Sequence, residues 1–373
     1  MAHVYDLIIV GTGSVGAATG YYAAKQGLDV LEIDAHTPPH TEGSHHGETR
    51  IIRHAYGEGG AYVPMVLRAQ ELWNELATLT DRPIFERTSV LNAGPIDSEF
   101  LRTVRETADY YRLAVDEYDG TTVRELWPAW QLPSDYQVLV ERDAGVLFSE
   151  NAIATYIELA KQSGADHSFD NRVLKIGSDS AGNVVMTTEQ GTFAGRRAVV
   201  TAGTWVKALI PDLPVQPTRK VFAWFEAAPE LAAENGFPAY IIEDRDGTQF
   251  YGFPATNGTI KIGRHQDGQL IDNPGERVPF GEIEGDNREV TPITERFLRG
   301  IGVLSYGASC TYDMSPDGDF IIDQAPGYTN VTIVTGLSGH GFKFASVLGE
   351  ILADETAGKD IPFDLSPFRL NRF

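Results

Sequence analysis

A glycine-spaced turn between two short apolar segments near the start constrains this 373-residue chain more than any other feature. Residues 4–10 read as a buried parallel strand. Gly11, Gly13 and Gly16 follow at once, residues 17–26 read as a helix, and 29–34 read as a second strand ending on Asp34. Each part has a mechanical job. Gly11 permits a tight turn, Gly13 lets a pyrophosphate approach the backbone, and Gly16 lets the helix lie close to the strand. Ser14 stands where the helix begins, and the unpaired N–H groups there face phosphates. Asp34 can accept hydrogen bonds from ribose hydroxyls. Strand, turn, helix, strand and acid in register predict a Rossmann-like α/β unit that holds a dinucleotide.

The rest of the composition narrows the class. The formal net charge is −22. Nucleic acid and anionic lipid both attract basic surfaces, so neither is an expected partner. An anionic substrate would need local cations, which draws attention to every Arg or Lys near the glycine turn. The single cysteine allows no intramolecular disulfide and no multi-cysteine metal site. No metal is expected, and a reducing cytoplasm is. The first apolar run is short, is broken by Gly11 and follows no basic stretch, so it does not read as a secretory signal. No run reaches the ~18 apolar residues of a membrane span.

Further along, the periodicity predicts helices over 62–77, 98–126, 151–162 and 342–354. It predicts strand-rich stretches over 83–91 and 136–148, and short strands over 169–176, 183–188, 197–201, 320–323 and 331–335. Between 219 and 263 the alternation is that of antiparallel strands, several of them aromatic. The charge-rich segment 267–286 reads as a loop. A dinucleotide fold is therefore interrupted twice and completed near the end. The expected division is an FAD-binding unit over 1–82, 142–214 and 306–373. An α+β substrate unit with an antiparallel sheet covers 83–141 and 215–305.

The glycine signature, residues 43–58, 251–254, Cys310 within 307–312, and 336–344 together resemble the monomeric sarcosine oxidase family of covalent-FAD amine oxidases. The resemblance runs from end to end. Segments 214–224, 260–263, 276–280 and 364–370 look more like the members that act on N-methyl-L-tryptophan than like those that act on sarcosine. Glu48 stands where an Asp is the family residue, a mild chemical change. The resemblance implies FAD joined by its 8α-methyl to a cysteine thioether. It also implies a monomeric enzyme that oxidises an N-methyl amino acid with O2, giving formaldehyde, the demethylated amino acid and hydrogen peroxide.

It implies residue roles as well. Cys310 carries the flavin. Arg53 and Lys343 clamp the substrate carboxylate, Arg as a planar fork and Lys as a compact charge. Lys343 lies near a predicted helix start, where a cation opposes the macrodipole and needs a compensating anion, the carboxylate or the flavin. Lys261 activates O2, where a fixed ammonium favours the first electron transfer. His265 orients the amine, and Tyr251 and Tyr312 pack beside the substrate. Arg50 has a catalytic role near the flavin ring, where it raises the reduction potential, and His46 and Thr49 lie near the flavin. The loop with Gly339 and Gly341 offers backbone N–H groups to it. By alternation alone, Lys261 lies on the strand face opposite Ile260 and Ile262, which leaves a solvated lysine equally open.

Two other classes share part of this pattern. A nicotinamide-dependent dehydrogenase has the turn and the acid but needs neither Cys310 nor the 336–344 loop. A flavin-binding sensor without turnover needs no convergence of Arg53, Lys343, Lys261 and His265.

Overall fold

The computed structural model describes residues 3–373. Strand Val4–Val10 runs through the middle of an eight-stranded sheet, with Val30–Ile33 and Gly191–Val200 parallel to it on either side. Asp166–Ser168 extends one edge in parallel. On the other side, Val331–Thr335 runs parallel to the second half of Gly191–Val200, while its first half pairs antiparallel with Val184–Thr188. Strands Val173–Ser178 and Ile321–Gln324 complete the sheet. These strands come from well-separated stretches of the chain, so the dinucleotide fold is discontinuous, as its sequence pattern predicts.

The sheet is covered on both faces, which is why Val4–Val10 is apolar almost throughout. Helices Ser14–Lys25, Val63–Ala77, Ser149–Gln162 and Ala345–Thr356 bury one large core against it. A second core lies on the opposite face, around Ile8, Val10, Ile33 and Val200.

A nine-stranded sheet stands beside this body. Its long strands Gln216–Ala227 and Ile301–Met314 pair antiparallel, and Thr259–Arg264 flanks the former on its other side. Beyond these come Gln249–Gly252, Ala239–Glu243, Val90–Pro95, Tyr136–Glu141 and Val115–Asp119. A small third sheet joins Thr49–Ile52, Gly145–Phe148 and Phe85–Glu86. The strand Ile301–Met314 spans the expected unit boundary between 305 and 306.

Several local expectations need correction. The stretch 98–126 is not one helical region. Helix Glu99–Tyr111 ends where Arg112 turns left-handed at φ 56°, and strand Val115–Asp119 precedes helix Gly120–Leu126. Ser98 and Asp119 cap the two helices with their side chains. Strand Ala239–Glu243 pairs parallel with Val90–Pro95, an exception to the antiparallel pattern predicted over 219–263. The loop over 267–286 contains a two-residue strand, Gln269–Leu270. Lys343 sits in a 3-10 turn, Phe342–Phe344, ahead of the α-helix. Among the described residues no helix is long and apolar enough to cross a membrane.

Candidate active site

At the carboxyl ends of the parallel strands lies a cleft of about 490 Å³, the usual ligand position in an open α/β sheet. Gly11, Gly13, Ser14 and Asp34 line its outer end, and Arg50, Tyr312, Gly339 and Gly341 line its inner end. The glycines are required here by space. A Cβ on Gly16 would lie 2.0 Å from the Gly11 carbonyl oxygen, and one on Gly11 2.7 Å from that of Thr201. At Gly13 the nearest atom is His45 Nδ1 at 3.5 Å, so this backbone faces open cleft. Asp34 is 7% exposed and takes the Thr12 N–H at 2.7 Å and the His36 N–H at 2.9 Å. His40 approaches the same carboxylate at 3.2 Å. Burial opposes ionisation of Asp34, but these contacts outweigh it and hold the pKa below the ordinary value.

The residues fit an FAD. The cleft joins the glycine turn to Arg50 and Tyr312, and buried polar atoms in this region lack protein partners. These are Thr12 Oγ1, His45 Nε2, His46 Nε2 and Thr49 Oγ1. Such atoms are costly unless something satisfies them. Burial pushes the His46 imidazole down to about 4, so the ring is neutral at pH 7.

Beyond the inner end lies a smaller chamber of about 90 Å³. It shares Arg50, Tyr312, Gly339 and Phe342 with the cleft, and adds Arg53, Glu58, Tyr251, Lys261, His265, Cys310 and Lys343. Residues more than 200 positions apart in sequence meet here, delivered by separate elements. Cys310 and Tyr312 share one face of strand Ile301–Met314. Tyr251 and Gly263 are cross-strand neighbours. A Cβ on Gly263 would meet the Tyr251 hydroxyl at 2.4 Å, and one on Gly339 would meet the Tyr312 ring at 2.1 Å. The turn before the 3-10 segment is tight, with Gly336, Ser338 and Gly339 all left-handed.

Cys310 is 3% exposed, and Lys220 stands opposite it on the neighbouring strand. Burial raises the thiol pKa, against the pull of Arg50 and Lys261. Lys261 is 4% exposed, so the solvated alternative is excluded. Its Nζ donates to the carbonyls of Gly47 and Thr49, the latter at 3.0 Å, and lies 4.8 Å from the Phe222 ring centre. Burial depresses its pKa strongly. Arg50 spends its guanidinium on the carbonyls of Ser44, His46 and Thr49, which fastens the loop over 44–50. Burial brings the His265 imidazole down to about 4, partly opposed by Glu58.

Arg53 is buried and its fork is occupied. Both oxygens of Glu58 bind Nη2, at 2.7 and 2.8 Å, while Nη1 donates to the Ala55 carbonyl at 3.2 Å. The Glu58 side chain keeps 30% of its surface exposed; desolvation opposes its charge, yet Arg53 and the other cations win and hold its carboxyl at about 2. Glu58 also supplies the anion that Lys343 needs. Burial takes the Lys343 ammonium down to about 7, with Glu58 pulling upward. Lys343 Nζ donates to the His340 carbonyl at 3.0 Å and to the Tyr56 hydroxyl at 3.3 Å. That hydroxyl is 2.7 Å from His340 Nδ1. Glu58, Tyr56 and His340 were not assigned roles on sequence grounds. An acid five residues after an arginine in an acidic chain gives no periodic signal, and only the turn through 55–58 folds it back.

Comparison with known proteins agrees with this construction. Residues 6–355 match the family model described as FAD dependent oxidoreductase. The chain is 54% identical over 369 residues to the N-methyl-L-tryptophan oxidase of Salmonella agona (strain SL483), covering 99% of each. It is 53% identical to the protein of that name from Citrobacter koseri, again over 99% of each. Among solved structures it is similar to NikD, an unusual amino acid oxidase essential for nikkomycin biosynthesis. That match has a TM-score of 0.85 and 20% identity over 99% of this chain and 98% of the other. Glycine oxidase from Geobacillus kaustophilus gives a TM-score of 0.83 and 21% identity over the whole of both chains. The α/β fold is thus shared with NikD and glycine oxidase. The chain belongs to the FAD-dependent oxidoreductase family.

Proposed function

We propose that this chain oxidatively demethylates N-methyl-L-tryptophan, using O2 and water and giving L-tryptophan, formaldehyde and hydrogen peroxide. The observation that carries the reading is the chamber where Arg53, Lys343, His265, Lys261 and Cys310 converge at the inner end of the nucleotide cleft. The 54% identity to enzymes of that name supports the choice of substrate over sarcosine.

Bound FAD supplies the two-electron chemistry that no side chain offers. The protein does the rest. Cys310 holds the flavin as an 8α thioether, and Gly11, Gly13, Ser14 and Asp34 hold its nucleotide half. His46, Thr49 and the backbone at Gly339 and Gly341 line the inner part. Arg53 receives the substrate carboxylate in place of Glu58, and Lys343 adds charge. Displacement of Glu58 also enlarges the chamber toward a tryptophan-sized ligand. His265 is neutral, so it can hydrogen-bond the amine without repelling it. Tyr251, Tyr312 and the phenylalanines pack on the side chain. Lys261 places a fixed donor where charge grows on oxygen. The same reading makes the protein a monomeric cytoplasmic enzyme, and its single cysteine is in keeping with a reducing compartment.

Two measurements test this. N-methyl-L-tryptophan should have a higher kcat/KM than sarcosine, with peroxide formed and no NAD added; the reverse order assigns the chain to sarcosine. After acid precipitation the yellow colour should stay in the pellet, and Cys310→Ala should release it. Free flavin from the unmodified protein refutes the thioether.

A further inference from the structure

Glu150 and Lys261 face each other across a single peptide group. Glu150 is the second residue of helix Ser149–Gln162, where the macrodipole favours an acid. Its Oε1 accepts the Gly47 N–H at 2.7 Å, and both its oxygens accept the Glu48 N–H, at 3.0 and 3.1 Å. On the other side of this loop the Lys261 ammonium donates to the carbonyls of Gly47 and Thr49. The Gly47 carbonyl and the Glu48 N–H belong to one peptide. Its oxygen therefore rests on the cation and its N–H on the anion. The backbone is held in this orientation against its preference. Glu48 is left-handed at φ 70°, a conformation that persists only where the surroundings enforce it. Gly47 has φ 99°, and a Cβ there would meet the Phe222 ring at 2.7 Å. The Ser149 N–H adds a bond to the Glu48 carbonyl at 2.9 Å.

A buried ammonium needs a counter-charge. The other neighbours of Lys261 are the rings of Phe222, Phe253 and Trp224, whose centres lie 4.8, 4.9 and 5.7 Å from Nζ. A ring face attracts a cation but carries no net charge. Burial and Arg50 oppose the Lys261 proton; Glu150 is the strongest group favouring it, ahead of Cys310 and Glu48. Cys310 carries no charge once it is a thioether, and His46 is neutral. Glu150 keeps its own charge. Burial opposes it, but the Ser149 hydroxyl at 2.6 Å, the Glu48 N–H and Arg50 hold its pKa below the ordinary value.

We propose that Glu150 is a positioning residue for the oxygen half of the reaction: it fixes the Gly47–Glu48 peptide that holds Lys261, and it supplies the counter-charge that keeps the ammonium protonated. The proposal rests on the reading of Lys261 as the residue that serves oxygen. Glu150 does not line the chamber that receives the amine. Its charge therefore acts on the step that uses Lys261 and leaves amine oxidation alone.

The test uses the holoenzyme with Glu150→Gln, which keeps the side-chain shape and one acceptor oxygen but removes the charge. Glu150→Ala serves where that variant yields no folded protein. Lysine labelled with 13C at Cε is titrated by NMR, and the Lys261 resonance is the one missing in Lys261→Met. Its midpoint should fall by about one pH unit or more in Glu150→Gln, the scale of an opposite charge lost from a buried site. Each protein is also bleached anaerobically with substrate and then mixed with O2 across the same pH range. The alkaline fall in the rate of colour return should move down with the NMR midpoint. Above both midpoints the variant should then run about tenfold slower than native, because about tenfold less of it holds the proton. Bleaching should stay within about threefold of native at each pH. A native Lys261 midpoint in Glu150→Gln overturns the proposal, and so does an equal loss in bleaching and colour return, which marks a residue that only shapes the loop. Lys261→Met separates the two readings. If it slows colour return while Glu150→Gln keeps the native midpoint, the role of Lys261 stands and that of Glu150 falls. If it leaves colour return unchanged, the role of Lys261 falls and that of Glu150 with it.

Discussion

At the scale of single residues, the site depends on charges held away from water. Lys343 is the sensitive one, because burial brings its ammonium to about 7. Below that pH it is charged and attracts a carboxylate. As pH rises through 7 the proton is lost, and ligand binding must restore it. Affinity for an unreactive carboxylate inhibitor should therefore be flat below pH 7 and fall by up to tenfold per pH unit above it. Lys343→Met should bind more weakly at pH 6 and lose the slope. A slope that survives in the variant assigns the titration elsewhere. In the same titrations Glu58→Gln should bind about ten- to a hundredfold more tightly than native, the scale of ~1.5–3 kcal/mol for a charged hydrogen bond that no longer has to be displaced. Weaker binding by this variant would mean that Glu58 holds Arg53 in place and does not compete for it.

At the scale of elements, two helices set the position of the glycine turn over 11–16. Helix Ser14–Lys25 packs against helix Ala345–Thr356 so closely that a Cβ on Gly349 would lie 2.5 Å from Ala18 Cβ and 2.8 Å from the Thr19 nitrogen. Replacing Gly by Ala in a helix normally stabilises by ~1 kcal/mol. Overpacking at this contact costs ~1–3 kcal/mol, because helix backbone must move. The second effect should win. Gly349→Ala should lower the Tm by calorimetry and loosen flavin retention in a Cys310→Ala background, since the moved helix carries the turn. A Tm at or above native would show that the helices separate freely. The contact was invisible in the sequence, where Gly349 is one small residue among several in an apolar helix.

At the scale of the whole molecule, one buried acid ties two sheets together. Glu141 ends a strand of the nine-stranded sheet and is 2% exposed. Its carboxylate accepts the backbone N–H of His54 at 2.8 Å and that of Ala55 at 3.0 Å, and pairs with the His54 ring. Those residues directly follow Arg53, so the proposed clamp is aimed from a sheet to which it does not belong. Glu141→Ala should strand two buried N–H groups and lower stability by ~2–5 kcal/mol. In whatever fraction folds, inhibitor affinity should also fall, with partial recovery in Glu141→Gln. Native affinity in folded Glu141→Ala would show that the turn holds itself. The first βαβ unit was legible from the sequence because its determinants are local: apolar runs, glycines at fixed offsets and an acid on the next strand. The Cys310 strand and the Arg53, Lys261 and Lys343 segments were singled out by resemblance, with no periodicity to rank them. Their meeting point, the occupation of Arg53 by Glu58 and the burial of Lys261 were decided only by tertiary structure. Alternation assigns a strand residue to a face, but whether that face meets water or three aromatic rings depends on elements far away in the chain.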